Sequence, residues 1–137
     1  GHVHNDKLSF ELNINGEDIV TDPGSYCYTS NKNLRNQFRS TSAHHSITIK
    51  GVEQNKWIDD TDWGLFYLDR EVKCKVLEIS GYSIKVSANY YGVDHIRTFN
   101  ITKDGLIIND YCNKPFDVNI NKFKEYSHVY GSMMKKR

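Results

Sequence analysis

Two of the six histidines, at the start of the chain, have the type and spacing to do acid–base or metal chemistry. His2 and His4 lie two residues apart, and in an extended segment that spacing puts both imidazoles on one face, about 7 Å apart. Asp22 stands directly before Pro23-Gly24, and His44-His45 follow some twenty residues later. A zinc ion takes imidazole nitrogen and carboxylate oxygen in tetrahedral geometry, so a histidine pair with an aspartate from elsewhere makes a three-ligand set. Each element also has an ordinary reading. An isolated His-x-His arises by chance or from a purification tag, and Asp before Pro-Gly initiates a turn by accepting backbone hydrogen bonds.

The elements that must position these residues read as strands. Leu8, Phe10, Leu12 and Ile14 alternate with polar residues, giving one apolar face, and Asn15-Gly16 is a strong hairpin turn. Further alternating or apolar runs occupy 46–49, 65–68, 72–79, 83–88, 95–101 and 106–111, with Ser80-Gly81 and Lys103-Asp104-Gly105 as turns. That spacing predicts an antiparallel all-β fold, a sandwich or barrel. The polar stretch 30–42, with Arg35, Phe38 and Arg39, breaks the alternation and is expected to hold one short helical turn at most. Long polar excursions of this kind are often functional.

Bulk composition bounds the function classes. The 137 residues are 38% hydrophobic, which suits one domain with one core. Lys and Arg total 18 against 17 Asp and Glu, for a net charge of +1. The only basic run, Lys135 to Arg137, is terminal, so no basic face points to nucleic acid. No stretch reaches the roughly 18 apolar residues of a membrane span. Cys27, Cys74 and Cys112 show neither CxxC spacing nor an even count, and are expected to be buried free thiols.

Three segments carry a resemblance. GHVHND (1–6) followed by LSFEL (8–12) resembles the GHGHxDxLSFEL signature of heparinase II/III-like proteins. TDPGSY (21–26) resembles that family's VDPGTY, and FRSTSAHH (38–45) resembles its FRSTxAHN. Weaker likeness in HIRTF (95–99) and GLIIND (105–110) extends the match across about residues 1 to 111. The resemblance implies a β-sandwich of the heparinase II/III-like C-terminal type, in a polysaccharide lyase that cleaves uronic-acid-containing chains by β-elimination. It implies zinc held by His4, Asp22 and His44, with His2 as the catalytic histidine near the scissile bond. His45 stands where the family has Asn, which alters how a neighbouring ligand or substrate is oriented.

Other roles are weighed beside these. Tyr26, Tyr28 and Arg39 are candidate contacts to an acidic polysaccharide, although tyrosines on strands commonly pack and arginines commonly form surface pairs. Asp6 is expected to accept a ring hydrogen from a histidine. One histidine cannot supply the base, the acid and the carboxylate neutralisation of a β-elimination. In relatives the rest comes from an N-terminal (α/α) toroid, so the chain is expected to be a C-terminal piece, inactive alone, of a periplasmic or secreted protein. The competing reading is a noncatalytic sandwich that binds carbohydrate or braces a partner domain, using Trp57, Trp63, Tyr90 and Tyr91. A cupin-type metal site is disfavoured because Glu11 follows the His pair too late.

Overall fold

The computed structural model describes residues 2–59, 61–69, 71–120, 125–127 and 130–135. Lys135 and Glu125 are placed as strand residues only. The order is β1 (Leu12–Ile14), β2 (Glu17–Val20), α1 (Lys32–Arg39), a 3-10 turn (Thr41–Ala43), β3 (Ile47–Thr48), β4 (Lys73–Ser80), β5 (Ser83–Tyr90), β6 (Val93–Thr102) and β7 (Gly105–Cys112). The short strands β8 (Asp117–Val118), β9 (Glu125–Tyr126) and β10 (Met134–Lys135) follow. Every strand pair is antiparallel, and the fold is all-β with one short helix.

The regular part is a meander in the order β4-β5-β6-β7. Its register is unbroken from Ser83↔Asn100 to Tyr90↔Val93 and from His95↔Cys112 to Thr102↔Gly105, with one bulge in β4 between Val76 and Glu78. Period-two alternation puts Ala88, Tyr90, Val93, His95 and Arg97 on the inner face, all buried. Further along the same face Val76 is 62% exposed and Ile79 70% exposed. The opposing layer therefore covers only one end of the sheet.

That layer, residues 2–69, is mostly irregular. The β1–β2 hairpin turns at Asn15-Gly16, both at positive φ (53° and 86°), as a two-residue turn of the mirror-image type requires. Strand pairing there starts only at Leu12, because Leu8 sits at φ 59°, which breaks extended backbone. The run 65–68 is not a strand: Leu68 forms an isolated bridge with Trp57, and the carbonyls of Leu65, Phe66 and Tyr67 accept from Arg35, Val3 and Arg39.

The excursion 30–42 departs furthest from expectation. It holds an eight-residue helix and a 3-10 turn rather than a single helical turn. Asn31 caps the helix by accepting from the Leu34 amide at 3.0 Å. The buried face is Arg35, Phe38 and Arg39, spaced three and four apart. Two of those three are charged, which hid the amphipathic pattern. The cysteines are free as expected, but Cys74 is exposed and Cys112 half-buried, so only Cys27 is a buried thiol.

Candidate functional site

The opening segment, the Asp-Pro-Gly bend, α1 and the end of the 3-10 turn converge. Asn5 donates its backbone N–H to the Arg39 carbonyl at 2.9 Å, tying the His2-to-Asp6 segment to the helix end. The bend is fixed by the Gly24 N–H donating to Asp22 Oδ1 at 2.8 Å, so Asp22 does initiate the turn. Gly24 lies so close to Ser127 that a Cβ would stand 2.0 Å from its carbonyl oxygen, which excludes any larger residue.

The other Asp22 oxygen accepts from His44 Nδ1 at 2.7 Å. His44 is fully buried, and its Nε2 has no hydrogen-bond partner. The His4 ring lies 5.2 Å from the His44 ring, centroid to centroid. His4 Nε2 meets Arg35 Nη1 at 2.8 Å and Ser25 Oγ at 3.2 Å. His4, Asp22 and His44 are thus brought together.

Burial, with the charges of Arg35 and His44 beside it, pushes the His4 pKa down to about 4. The imidazole is neutral near pH 7. Burial works to raise the Asp22 pKa, yet the His44 hydrogen bond and the Gly24 N–H outweigh it and hold the carboxyl below its ordinary value. Burial also lowers Arg35, and burial plus the nearby Arg35 charge brings Arg39 down to about 10.

His2 is exposed at the edge of this cluster. Its ring packs on Tyr28 at 4.7 Å and on Phe66 at 5.3 Å. Tyr28 in turn lies under the Arg35 guanidinium at 5.2 Å and stacks on Tyr130. His2, Tyr28, Arg35 and His4 form one continuous chain of contacts. Tyr26, at φ 53°, points its ring at Phe38 instead, at 5.7 Å.

Two expected placements differ. Arg39 is fully buried, donates to Asn36 Oδ1 and the Tyr67 carbonyl, and lies 4.5 Å over the Trp57 ring, so its guanidinium is not presented to a ligand. Asp6 pairs with Lys7 at 2.5 Å and, among the described residues, accepts from no histidine ring. His45 is buried as well, its Nε2 2.7 Å from the Thr21 carbonyl. Arg35, Ser25 and Phe66 belong to the site and were not singled out by sequence. Only Arg35 had a signal, an arginine four residues before another within an Asn-capped polar stretch.

The matched segments agree with a comparison against known families. The heparinase II/III-like, C-terminal family model matches residues 1–120. This chain belongs to that family. No curated protein and no solved structure matches it. The family is one of heparinase-like polysaccharide lyases, and its match spans the cluster, the helix and the whole β4–β7 meander.

Among the described residues, no three His, Cys, Asp or Glu side chains already converge as a complete metal-binding group. The donors nevertheless fit a metal chemically. Because Asp22 accepts from His44 Nδ1, the lone pair of a neutral His44 is on Nε2, the buried atom with no partner among the described residues. A carboxylate on the far nitrogen of a ligating imidazole is the usual orienting arrangement. A groove of about 690 Å³, lined by Phe10, Leu12, Ile14, Phe99, Ile101 and Leu106 among others, contains no histidine and is not where this chemistry lies. No helix among the described residues is long and apolar enough to cross a membrane.

Proposed function

We propose that this chain forms the β-sandwich wall of a lyase that cleaves uronic-acid-containing polysaccharide by β-elimination, with His2 as its catalytic group. The observation that carries the reading is the exposed His2 ring, seated on Tyr28 and Phe66 beside the His4–Arg35–His44–Asp22 cluster. It is a titratable group on a preformed aromatic seat, open on one side.

In such a reaction the C5–H bond of the uronate breaks, its electron pair forms the C4=C5 double bond, and the C4–O bond breaks as the leaving sugar takes a proton. An exposed imidazole suits proton removal from C5, or donation to the sugar carboxylate that lowers the acidity barrier. Tyr28, in contact with His2, is suited to hold the sugar ring, and Tyr26, packed on Phe38, supports the same bend. The groups still required would come from an N-terminal helical domain of a larger parent protein, periplasmic or secreted. His4 and His44 would hold zinc, with Asp22 orienting His44 from Nδ1 rather than ligating as the resemblance implies, and the ion would cross-link the opening segment to the end of the 3-10 turn and, through Asp22, to the bend.

The test uses the parent protein and follows the ultraviolet absorbance of the unsaturated uronate product. His2→Ala is expected to lower kcat by about 10²–10⁴-fold, and the 137-residue chain alone is expected to be inactive. Unchanged kcat in His2→Ala would remove the catalytic assignment. Equal activity of chain and parent would remove the two-domain mechanism. Zinc, by elemental analysis, is expected near about one equivalent and to fall in His4→Ala or His44→Ala. A noncatalytic carbohydrate-binding role draws support from Trp63 alone, 74% exposed and stacked on Tyr67; Tyr90 is buried and Tyr91 is bound to Asp69.

A further inference from the structure

Arg35 is a fully buried cation whose hydrogen-bond partners are an imidazole and a carbonyl, not a carboxylate. Its Nη1 meets His4 Nε2 at 2.8 Å, its Nε donates to the Leu65 carbonyl at 3.1 Å, and its Nη2 is buried with no partner among the described residues. A guanidinium only donates, so His4 Nε2 must be accepting, with its ring hydrogen on Nδ1. The Asp22 carboxylate takes the His44 Nδ1 hydrogen, which leaves the lone pair on Nε2 when that ring is neutral. The two imidazoles therefore both hold the atom a divalent ion needs, and Arg35 sits on one of them.

We propose that Arg35 is an internal competitor for the metal: its guanidinium occupies the ligating lone pair of His4, a divalent ion binds by displacing it, and Arg35 sets how tightly that ion is held. The inference rests on the metal part of the reading above, not on the lyase part. Displacement breaks one N–H···N hydrogen bond and forms one nitrogen–metal bond. It also puts the ion's charge beside a cation with no acidic partner among its bonds, which weakens binding. The Leu65 carbonyl and the Tyr28 ring, 5.2 Å away, remain to anchor the displaced side chain.

Zinc affinity of the chain, measured against a chromophoric chelator at neutral pH without polysaccharide, reads the competition directly. Arg35→Met keeps the length of the side chain and removes its donors and charge; it is expected to bind zinc at least about tenfold more tightly, a difference of about 1.4 kcal/mol. Arg35→Lys keeps a donor and a charge and is expected to stay near the wild type. Equal or weaker binding by Arg35→Met, or no binding by either protein, overturns the proposal.

Should the Met variant fail to fold, nitrogen-15 NMR of the wild type decides. Zinc is expected to shift the His4 Nε2 and the Arg35 guanidinium resonances together, and shifts of His4 and His44 with Arg35 unmoved overturn it. His44→Ala abolishing zinc binding in both backgrounds reports on the metal site itself. Polysaccharide cleavage is not read at all, so failure of the lyase reading and failure of this one remain separate results.

Discussion

The irregular layer of residues 2–69 and the β4–β7 meander hold their shapes by different means. In the meander, ladders of backbone hydrogen bonds define the structure, and much of its inner face needs no partner to stay in register. In the irregular layer the organising groups are buried polar side chains. Asn5 alone donates to Glu53 and to the Asn55 carbonyl, and accepts from the Asn55 backbone and side-chain N–H groups. Gln54 pairs with both the N–H and the carbonyl of Lys7, as a strand would. Backbone in a loop that carries chemistry cannot satisfy itself, so side chains complete it. That is why the histidine cluster lies here and not on the regular sheet.

The two regions meet at one buried latch. Arg97 of β6 makes two hydrogen bonds to Asp110 of β7, at 2.8 and 2.9 Å, and extends Nη1 to the carbonyls of Leu8 and His45. His95 Nε2 lies 2.7 Å from the same carboxylate. Asp110→Ala leaves Arg97 a buried charge without its counter-ion and is expected to cost about 3–5 kcal/mol. Urea unfolding checks it. A loss under about 1 kcal/mol would mean that the latch does not join the layers, and the contrast drawn above would fail at its seam.

Asn5→Ala tests the polar layer on its own terms. It strips partners from Glu53 and from three Asn55 groups at once, for an expected loss of about 3 kcal/mol by the same measurement. Because Asn5 lies next to His4, the variant is also expected to weaken zinc binding. A loss well below about 1 kcal/mol, the net value of one ordinary hydrogen bond, would show that the loops keep their shape without the network.

Acid offers a smaller and reversible version of the first change. Burial opposes ionisation of Asp110, but the hydrogen bonds from His95 and Arg97 prevail and bring its pKa to about 2, against 3.8 for an ordinary aspartate. A carboxyl depressed in the folded state contributes stability that is complete above the unfolded pKa and is lost as pH falls through the folded one. The loss is expected between about pH 4 and pH 2 and to amount to about 2 kcal/mol. In Asp110→Asn that part of the acid limb should disappear. An unaltered limb would assign the acid sensitivity to other carboxyls.

How legible each region was in the sequence follows the same division. The meander could be read almost residue by residue, since Ile96, Thr98 and Asn100 alternate with Arg97, Phe99 and Ile101, and Gly81 and Gly105 mark its turns. The irregular layer could not, because period-two alternation at Leu8 to Ile14 survives only from Leu12, and the buried face of α1 is two arginines and a phenylalanine. The candidate ligands were legible as residues because short motifs hold them at fixed spacing, and His44 lies between the His4 ring and the Asp22 carboxylate. Arg35 and Arg39 were not, since charge in a sequence ordinarily signals solvent. Only three-dimensional packing reveals that both arginines point inward.

The bare end of the meander supplies the smallest expected effect and the sharpest control. Val76, Ile79, Ile84 and Ile101 share the inner face with Ala88 and Arg97 by register, yet all four are exposed, and Ile79 opposes Ile84 with nothing described above them. If backbone ladders hold this end, removing apolar surface there should cost almost nothing. Ile79→Thr keeps the β-branched shape that suits a strand and replaces a methylene-bearing arm with a hydroxyl that water can solvate. The expected change in urea stability is within about 0.5 kcal/mol, as for an ordinary surface site. The same exchange at a covered position such as Val93, which packs with Ala88 and Tyr90, should cost more than about 1 kcal/mol, because the hydroxyl would be buried without an assured partner. Equal costs at the two positions would mean that the Ile79 end is covered in solution, and the division of the sheet into a packed half and an open half would have to be redrawn.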